Sequence, residues 1–130
     1  MNIKSKFQGS ILGAALGDSI GRASEGGGGV EIHKLRDRIS KQNILRYTDD
    51  TQQMIGLAEA ISEKGEFDQD LFAENLAKNF EPSRGYGPGS TQVIRAVKRG
   101  EGWKKTAGKL FGGSGSFGNG ASMRIAPIGL

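Results

Sequence analysis

Thr48, Asp49 and Asp50 set oxygen-bearing side chains at adjacent positions, and oxygens of this kind are what hard divalent cations such as magnesium take as ligands. Glu25 breaks a run of small residues just before the glycines at 26–29, where a carboxylate on a mobile loop could swing over a site. The segment GSGSFG at 113–118 fits the pattern G-x-G-x-x-G. Its glycines can turn backbone N–H groups toward an anion, and Ser114, Ser116 and Asn119 suit phosphate or ribose oxygens. Each feature also has a plainer account. Thr48 and the two aspartates can simply cap a helix and complement its dipole, Glu25 can be a surface glutamate, and the glycine loop can be a connection. No strand precedes the loop and no acidic residue follows at the distance a dinucleotide-binding fold requires. A protein kinase would need a lysine and a catalytic loop that do not follow.

The elements that must position these residues read as helices. Phe7, Ile11, Leu12, Ala15 and Leu16 recur at helical spacing, and Gly9, Gly13 and Gly17 form a small-residue stripe beside them, which predicts a first, buried helix. A second helix begins at Thr48 or Asp49, carries Met54, Leu57, Ala58 and Ile61, and stops at Gly65. A third spans about residues 68–80, with Asp68 as cap, Phe67 stapled onto Phe72, and Pro82 beyond its end. Ser90 is read as the cap of a fourth helix bearing Val93, Ile94 and Val97 and ending at Gly100, and Trp103, Ala107, Leu110 and Phe111 suggest a short fifth. Tyr86 lies in a tight Gly-Tyr-Gly-Pro-Gly turn and could line a pocket. No alternating strand pattern appears, so the expected class is all-α.

Composition narrows the chemistry. The 130 residues contain no cysteine, which excludes disulfides, thiolate zinc sites and a thiol nucleophile and favours a reducing, cytoplasmic setting. His33 is the single histidine and is assigned no role. The net charge of +4 tolerates a phosphorylated ligand. The basic residues Lys98, Arg99, Lys104, Lys105 and Lys109 lack an aromatic platform, so they read as a solvated face and no specific nucleic-acid partner is expected. The apolar stretch near the N-terminus is short, glycine-punctuated and interrupted by Asp18, unlike a membrane span or signal.

Taken together, GSILGAALGDSIG, Glu25, YTDDTQQM, RGYGPG and GSGSFGNGASMRIAPIGL resemble the ADP-ribosylglycohydrolase family in order and approximate spacing. The likeness is to its dinitrogenase-reductase-activating and serine-ADP-ribose-hydrolase branches. The resemblance implies an all-α fold, with residues 1–130 as the N-terminal part of one domain, and two divalent cations, usually Mg2+ with Mn2+ as a substitute. It implies Thr48, Asp49 and Asp50 as metal ligands and Glu25 as a loop carboxylate near metals and substrate. Phe111, Gly115, Ser116, Phe117 and Asn119 match ADP-ribose-binding positions, with Phe117 where relatives often carry tyrosine. The implied reaction is hydrolysis of the glycosidic bond from ADP-ribose to a protein side chain or small acceptor, with Glu25, Asp49 and Asp50 as catalytic residues. A second acidic motif, of Gly-Asp-Thr-Asp type, completes the family's metal site and is absent from these residues. The apolar stretch 123–130 reads as cut mid-fold. The sequence therefore leaves open an incomplete enzyme of low activity, a non-catalytic ADP-ribose-binding module, and a chain that pairs with a separate C-terminal half or with itself.

Overall fold

A computed structural model describes residues 2–26, 29–41, 44–116 and 118–129. Phe117, Leu130 and part of the glycine run at 26–29 lie outside the described residues. Among the described residues six α-helices follow one another: α1 (Ile3–Gly21), α2 (Ile32–Ser40), α3 (Asp49–Lys64), α4 (Gln69–Asn79), α5 (Pro88–Lys98) and α6 (Trp103–Ala107). Short 3₁₀ turns link and follow them, and no strand occurs among the described residues. The fold is all-α, as the sequence predicts.

Local chemistry sets the boundaries. Thr48 caps α3 by accepting from the Asp50 N–H, and Gly65 ends it in the left-handed region at φ 76°, a conformation that costs glycine nothing. Asp68 caps α4 by accepting from the N–H groups of Asp70 and Leu71, and Phe67 packs on Phe72 with ring centroids 6.1 Å apart. Helix α5 starts earlier than predicted. Gly87 is its cap and Pro88 occupies the first turn, where a missing N–H and a preset φ suit proline; Ser90 lies inside the helix instead of capping it. Helix α2 was not anticipated, although Ile32, Leu35 and Ile39 carry a helical period. The expected fifth helix is five residues long, and Leu110 and Phe111 fall in a kinked 3₁₀ turn beyond it.

The core lies along α3, α4 and α5. Met54, Leu57 and Ala60 of α3 are buried, as are Leu76 and Ala77 of α4 and Ile94 and Ala96 of α5, with Phe72, Phe80, Tyr86 and Val97 packed around them. A Cβ added at Gly56 would sit 3.5 Å from Leu76 Cδ2, an ordinary van der Waals contact, so α3 and α4 approach closely here with room for a methyl group.

The first helix departs from expectation. It forms, but none of its residues is buried, and Phe7, Leu12 and Leu16 are 40%, 68% and 52% exposed. Added Cβ atoms at Gly9, Gly13 and Gly17 would meet nothing within 4 Å. The apolar stripe has the right period, but it is covered only in part: Ile11 and Ala15 are half-buried while Phe7, Leu12 and Leu16 stay exposed. Helix α1 is instead held near its C-terminal end, through a polar contact. Ile125 and Ile128 are likewise exposed, while Pro127 between them is buried.

Candidate functional site

The turn that opens α3 is built by residues distant in sequence. Arg84 donates from Nη1 to the Tyr47 carbonyl at 3.1 Å, lies over the Tyr47 ring at 3.9 Å, and is braced by Glu81 at 2.8 Å. Gln52 is buried and accepts at Oε1 from the Tyr86 hydroxyl at 2.8 Å and from the Glu81 N–H at 3.1 Å. Burial pushes the Tyr86 hydroxyl well above the usual tyrosine range, with the Asp49 charge adding to it, so Tyr86 stays a donor. The RGYGPG segment thus supports the residues just before and just after Thr48.

Asp18 supplies the main clasp. Its Oδ2 accepts from the Thr48 N–H at 2.8 Å, the Thr51 N–H at 3.2 Å and the Thr51 hydroxyl at 2.5 Å. Its Oδ1 accepts from the Thr48 hydroxyl at 2.6 Å. A carboxylate from α1 therefore acts as a remote cap on α3, satisfying orphan N–H groups of the first turn. Sequence reading passed over Asp18 as a mere interruption of an apolar stretch. No local signal names its partners, which lie 30 and 33 positions away.

Asp49 is buried and its Oδ2 accepts from Gln53 Nε2 at 2.9 Å. Three carboxyl groups at this end are held above their ordinary range. For Asp49 the cause is burial, opposed by the Gln53 hydrogen bond and reinforced by Glu25 and Asp18. For Asp50 it is burial, then the charges of Asp18 and Asp49. For the exposed Glu25 it is partial loss of water, then Asp50 and Asp18, with Arg22 opposing. The predicted acidic residues therefore share one electrostatic neighbourhood. Among the described residues none of Asp18, Glu25, Asp49 and Asp50 forms an ion pair.

A hollow of about 110 Å³ lies between Ala14, Asp18, Asp50, Thr51, Met54 and Met123. In donor type the surroundings fit a hard divalent cation: carboxylates without a counter-charge, and the Thr48 hydroxyl, which after donating to Asp18 and accepting from Asp50 retains one lone pair. In number they are a partial shell. Among the described residues no three His, Cys, Asp or Glu side chains converge closely enough to hold an ion unaided.

The glycine loop follows a backbone of left-handed residues. Gly112, Gly113 and Gly115 have φ of 68°, 84° and 84°, and Phe111, at φ 52°, is the one non-glycine residue in that region among those described. The Phe111 ring packs at Gly89, where an added Cβ would be 3.3 Å from Cε2 and Cζ. Ser116 Oγ accepts from the Gly118 N–H at 3.1 Å, and the Asn119 carbonyl accepts from the Ser122 hydroxyl at 2.8 Å, leaving the Asn119 side chain exposed. Phe117 lies outside the described residues. Just after the loop, Met123 borders the small hollow and Arg124 donates to Gln53 Oε1 at 2.5 Å. The loop's tail therefore packs on the acidic end of α3. A larger cavity of about 450 Å³ runs alongside, lined by Phe72, Trp103, Leu110, Ser116, Gly118 and Arg124 among others. Lys98, Arg99, Lys104, Lys105 and Lys109 are exposed as expected.

A family model described as ADP-ribosylglycohydrolase matches residues 1–130. The ADP-ribosylhydrolase ARH3 of Danio rerio is 36% identical over 137 residues, which cover 97% of this chain and 37% of the relative. Its counterpart in Homo sapiens is 30% identical, with 97% and 39% covered. An uncharacterized protein of Archaeoglobus fulgidus is 39% identical, with 98% and 43% covered. The chain thus spans about two fifths of the length of these curated relatives, as the N-terminal portion that its resemblance implied. With a match running from its first residue to its last, across an all-helical fold, the chain belongs to the ADP-ribosylglycohydrolase family.

Proposed function

We propose that this chain carries the first acidic cluster and the ADP-ribose cradle of an enzyme that hydrolyses the glycosidic bond between ADP-ribose and a protein side chain or small acceptor. The observation that carries the reading is the meeting of the two candidate regions. The segment leaving the glycine loop, at Met123 and Arg124, packs against the α3 turn that holds Asp49 and Asp50.

Thr48, Asp49, Asp50 and Glu25 are the proposed ligands of Mg2+, for which Mn2+ is a substitute. Two ions are expected by family resemblance, with remaining ligands from water and from acidic residues beyond these 130. When bound, such cations polarise ribose oxygens and lower the pKa of a coordinated water. The chain's own residues do the rest. Ser116, Gly115 and Asn119 hold pyrophosphate and distal ribose, with Phe111 and Phe117 offering aromatic faces. Glu25, raised from the usual carboxylate value by lost hydration and by Asp50 and Asp18, is the proposed carboxylate that orients the water or assists the leaving group. In the reaction the bond from the anomeric carbon to the acceptor breaks with oxocarbenium character, water adds to that carbon, and one water proton leaves with the acceptor.

A second reading is favoured by the incomplete ligand set: a module that binds ADP-ribose without cleaving it. Calorimetric titration with ADP-ribose, together with amide shifts at Ser116 and Asn119, tests the cradle that both readings share. No heat and no shifts in the folded chain at millimolar ligand would overturn it. Release of ADP-ribose from serine- and arginine-linked substrates with Mg2+ separates the two readings. Little or no turnover is expected from the 130 residues alone, and turnover is expected once the C-terminal half of an ADP-ribosylhydrolase ARH3 is added. Failure of that complement to restore turnover favours the binding module.

A further inference from the structure

Gln53 is completely buried and both ends of its amide are engaged. Nε2 donates to Asp49 Oδ2 at 2.9 Å, and Oε1 accepts from Arg124 Nη1 at 2.5 Å. Asp49 and Gln53 are four apart on α3, so one helical turn brings them together. Arg124 comes from the segment after the glycine loop, 71 positions away. Its guanidinium lies 5.1 Å from the Phe72 ring, and among the described residues it has no carboxylate within ion-pairing distance. A half-buried guanidinium would ordinarily take a carboxylate partner; here its partner is a neutral amide.

We propose that Arg124 and Gln53 are positioning residues that fix how Asp49 presents its carboxylate. The argument follows from donor and acceptor capacity. A guanidinium only donates, so the amide end facing Arg124 must be the carbonyl oxygen, and the end facing Asp49 must be the NH₂. Asp49 Oδ2 is then held as an acceptor, while Oδ1, which has no side-chain donor among the described residues, is the oxygen proposed to serve a ligand. Without Arg124 the Gln53 carbonyl end loses its donor and second anchor, so the amide is free to move and its hold on Asp49 loosens. The functional consequence rests on the cation reading given above; the orienting role itself does not.

The test uses the isotope-labelled 130-residue chain and variants at two positions. The Gln53 side-chain NH₂ is expected to exchange slowly with solvent, and the Asp49 carboxyl carbon to resonate apart from exposed aspartates. Arg124→Met, which keeps the bulk against Phe72, should abolish both signatures; Arg124→Lys, which keeps a donor, should retain them. The reverse pattern, rescue by Met and not by Lys, would reduce Arg124 to packing and overturn the proposal. Gln53→Met should weaken Mn2+ binding, followed by paramagnetic broadening around Asp49, by about tenfold or more, as loss of a partner behind a ligand typically does. Equal Mn2+ affinity in a folded Gln53→Met chain would overturn the link to the cation site. If Gln53→Met does not fold, Gln53→Glu serves instead: it keeps the Arg124 contact but repels Asp49, and should displace the Asp49 carbon signal. Absence of Mn2+ binding by the parent chain would refute the cation reading, and the orienting role would still be decided by the exchange and carbon signals.

Discussion

The carboxylate of Asp18 engages Thr48 twice, taking the backbone N–H at 2.8 Å on one oxygen and the hydroxyl at 2.6 Å on the other. The two residues are 30 positions apart on different elements. The contact fixes Thr48 before any ligand is considered, and it frees Asp49 and Asp50 from capping duty.

This division of labour makes Asp18→Ala and Asp18→Asn unequal. Alanine leaves the Thr48 and Thr51 N–H groups without their acceptor, at a cost of about 1–3 kcal/mol. Asparagine can keep one oxygen toward Thr51 and the Thr48 N–H while its NH₂ donates to the Thr48 hydroxyl, so its cost should be smaller. Urea unfolding gives the order, and hydrogen exchange should accelerate at the Thr48 and Thr51 amides in the alanine variant.

Because Thr48 and Asp18 do the capping, Asp49→Asn combined with Asp50→Asn should leave helix content nearly unchanged while removing most Mg2+ affinity. Circular dichroism and calorimetry read the two effects separately. Equal Mg2+ affinity in parent and variant would defeat the ligand assignment.

Acidity should stabilise the chain just above the ordinary carboxylate range, where the raised carboxyl groups take up protons. Asp49, Asp50 and Glu25 have folded-state values raised above 3.8, 3.8 and 4.5, so in that window the folded state binds more protons than the unfolded one. Stability then falls as pH rises from the unfolded value through the folded value. Asp68, Glu81 and Glu101 are lowered from 3.8, 4.5 and 4.5, so their contribution is lost only in stronger acid. The melting temperature should therefore rise as pH falls through the raised folded-state values of Asp49, Asp50 and Glu25, then fall once Asp68, Glu81 and Glu101 take up protons in stronger acid. Mg2+ at neutral pH should recover part of the rise.

Within the glycine loop, Gly115→Ala forces a side chain into φ 84° and should cost about 1 kcal/mol while weakening ADP-ribose binding. Gly120→Ala is the control. Its φ is not in that region and an added Cβ meets nothing within 4 Å, so stability should change little. Thermal melts with and without ADP-ribose distinguish the two variants.

Helix boundaries set by local chemistry could be read directly: Thr48, Gly65, Asp68 and the Phe67–Phe72 pair act on residues within a turn or two of themselves. The proximity of Thr48, Asp49 and Asp50 could be read as well, because adjacent residues need no fold to bring them together. What escaped reading depended on partners chosen by the fold. The burial expected for α1 required a surface to receive Phe7, Leu12 and Leu16, and no periodicity says whether one exists. Asp18, Gln53 and Arg124 were missed because each acts through a residue on another element or another turn, and nothing near them in sequence names that residue.

The remote clasp has a consequence for the order in which the chain folds. Helices α3 and α4 are joined by a short connection and pack along each other, so their pairing requires little loop closure, whereas seating Asp18 on Thr48 and Thr51 closes a span of 30 residues or more. Pulse-labelled refolding should accordingly protect the amides of Leu57 and Ala60 first and those of Thr48 and Thr51 last. The end of α3 that bears Thr48, Asp49 and Asp50 would then be the last part of that helix to set, and the first to loosen.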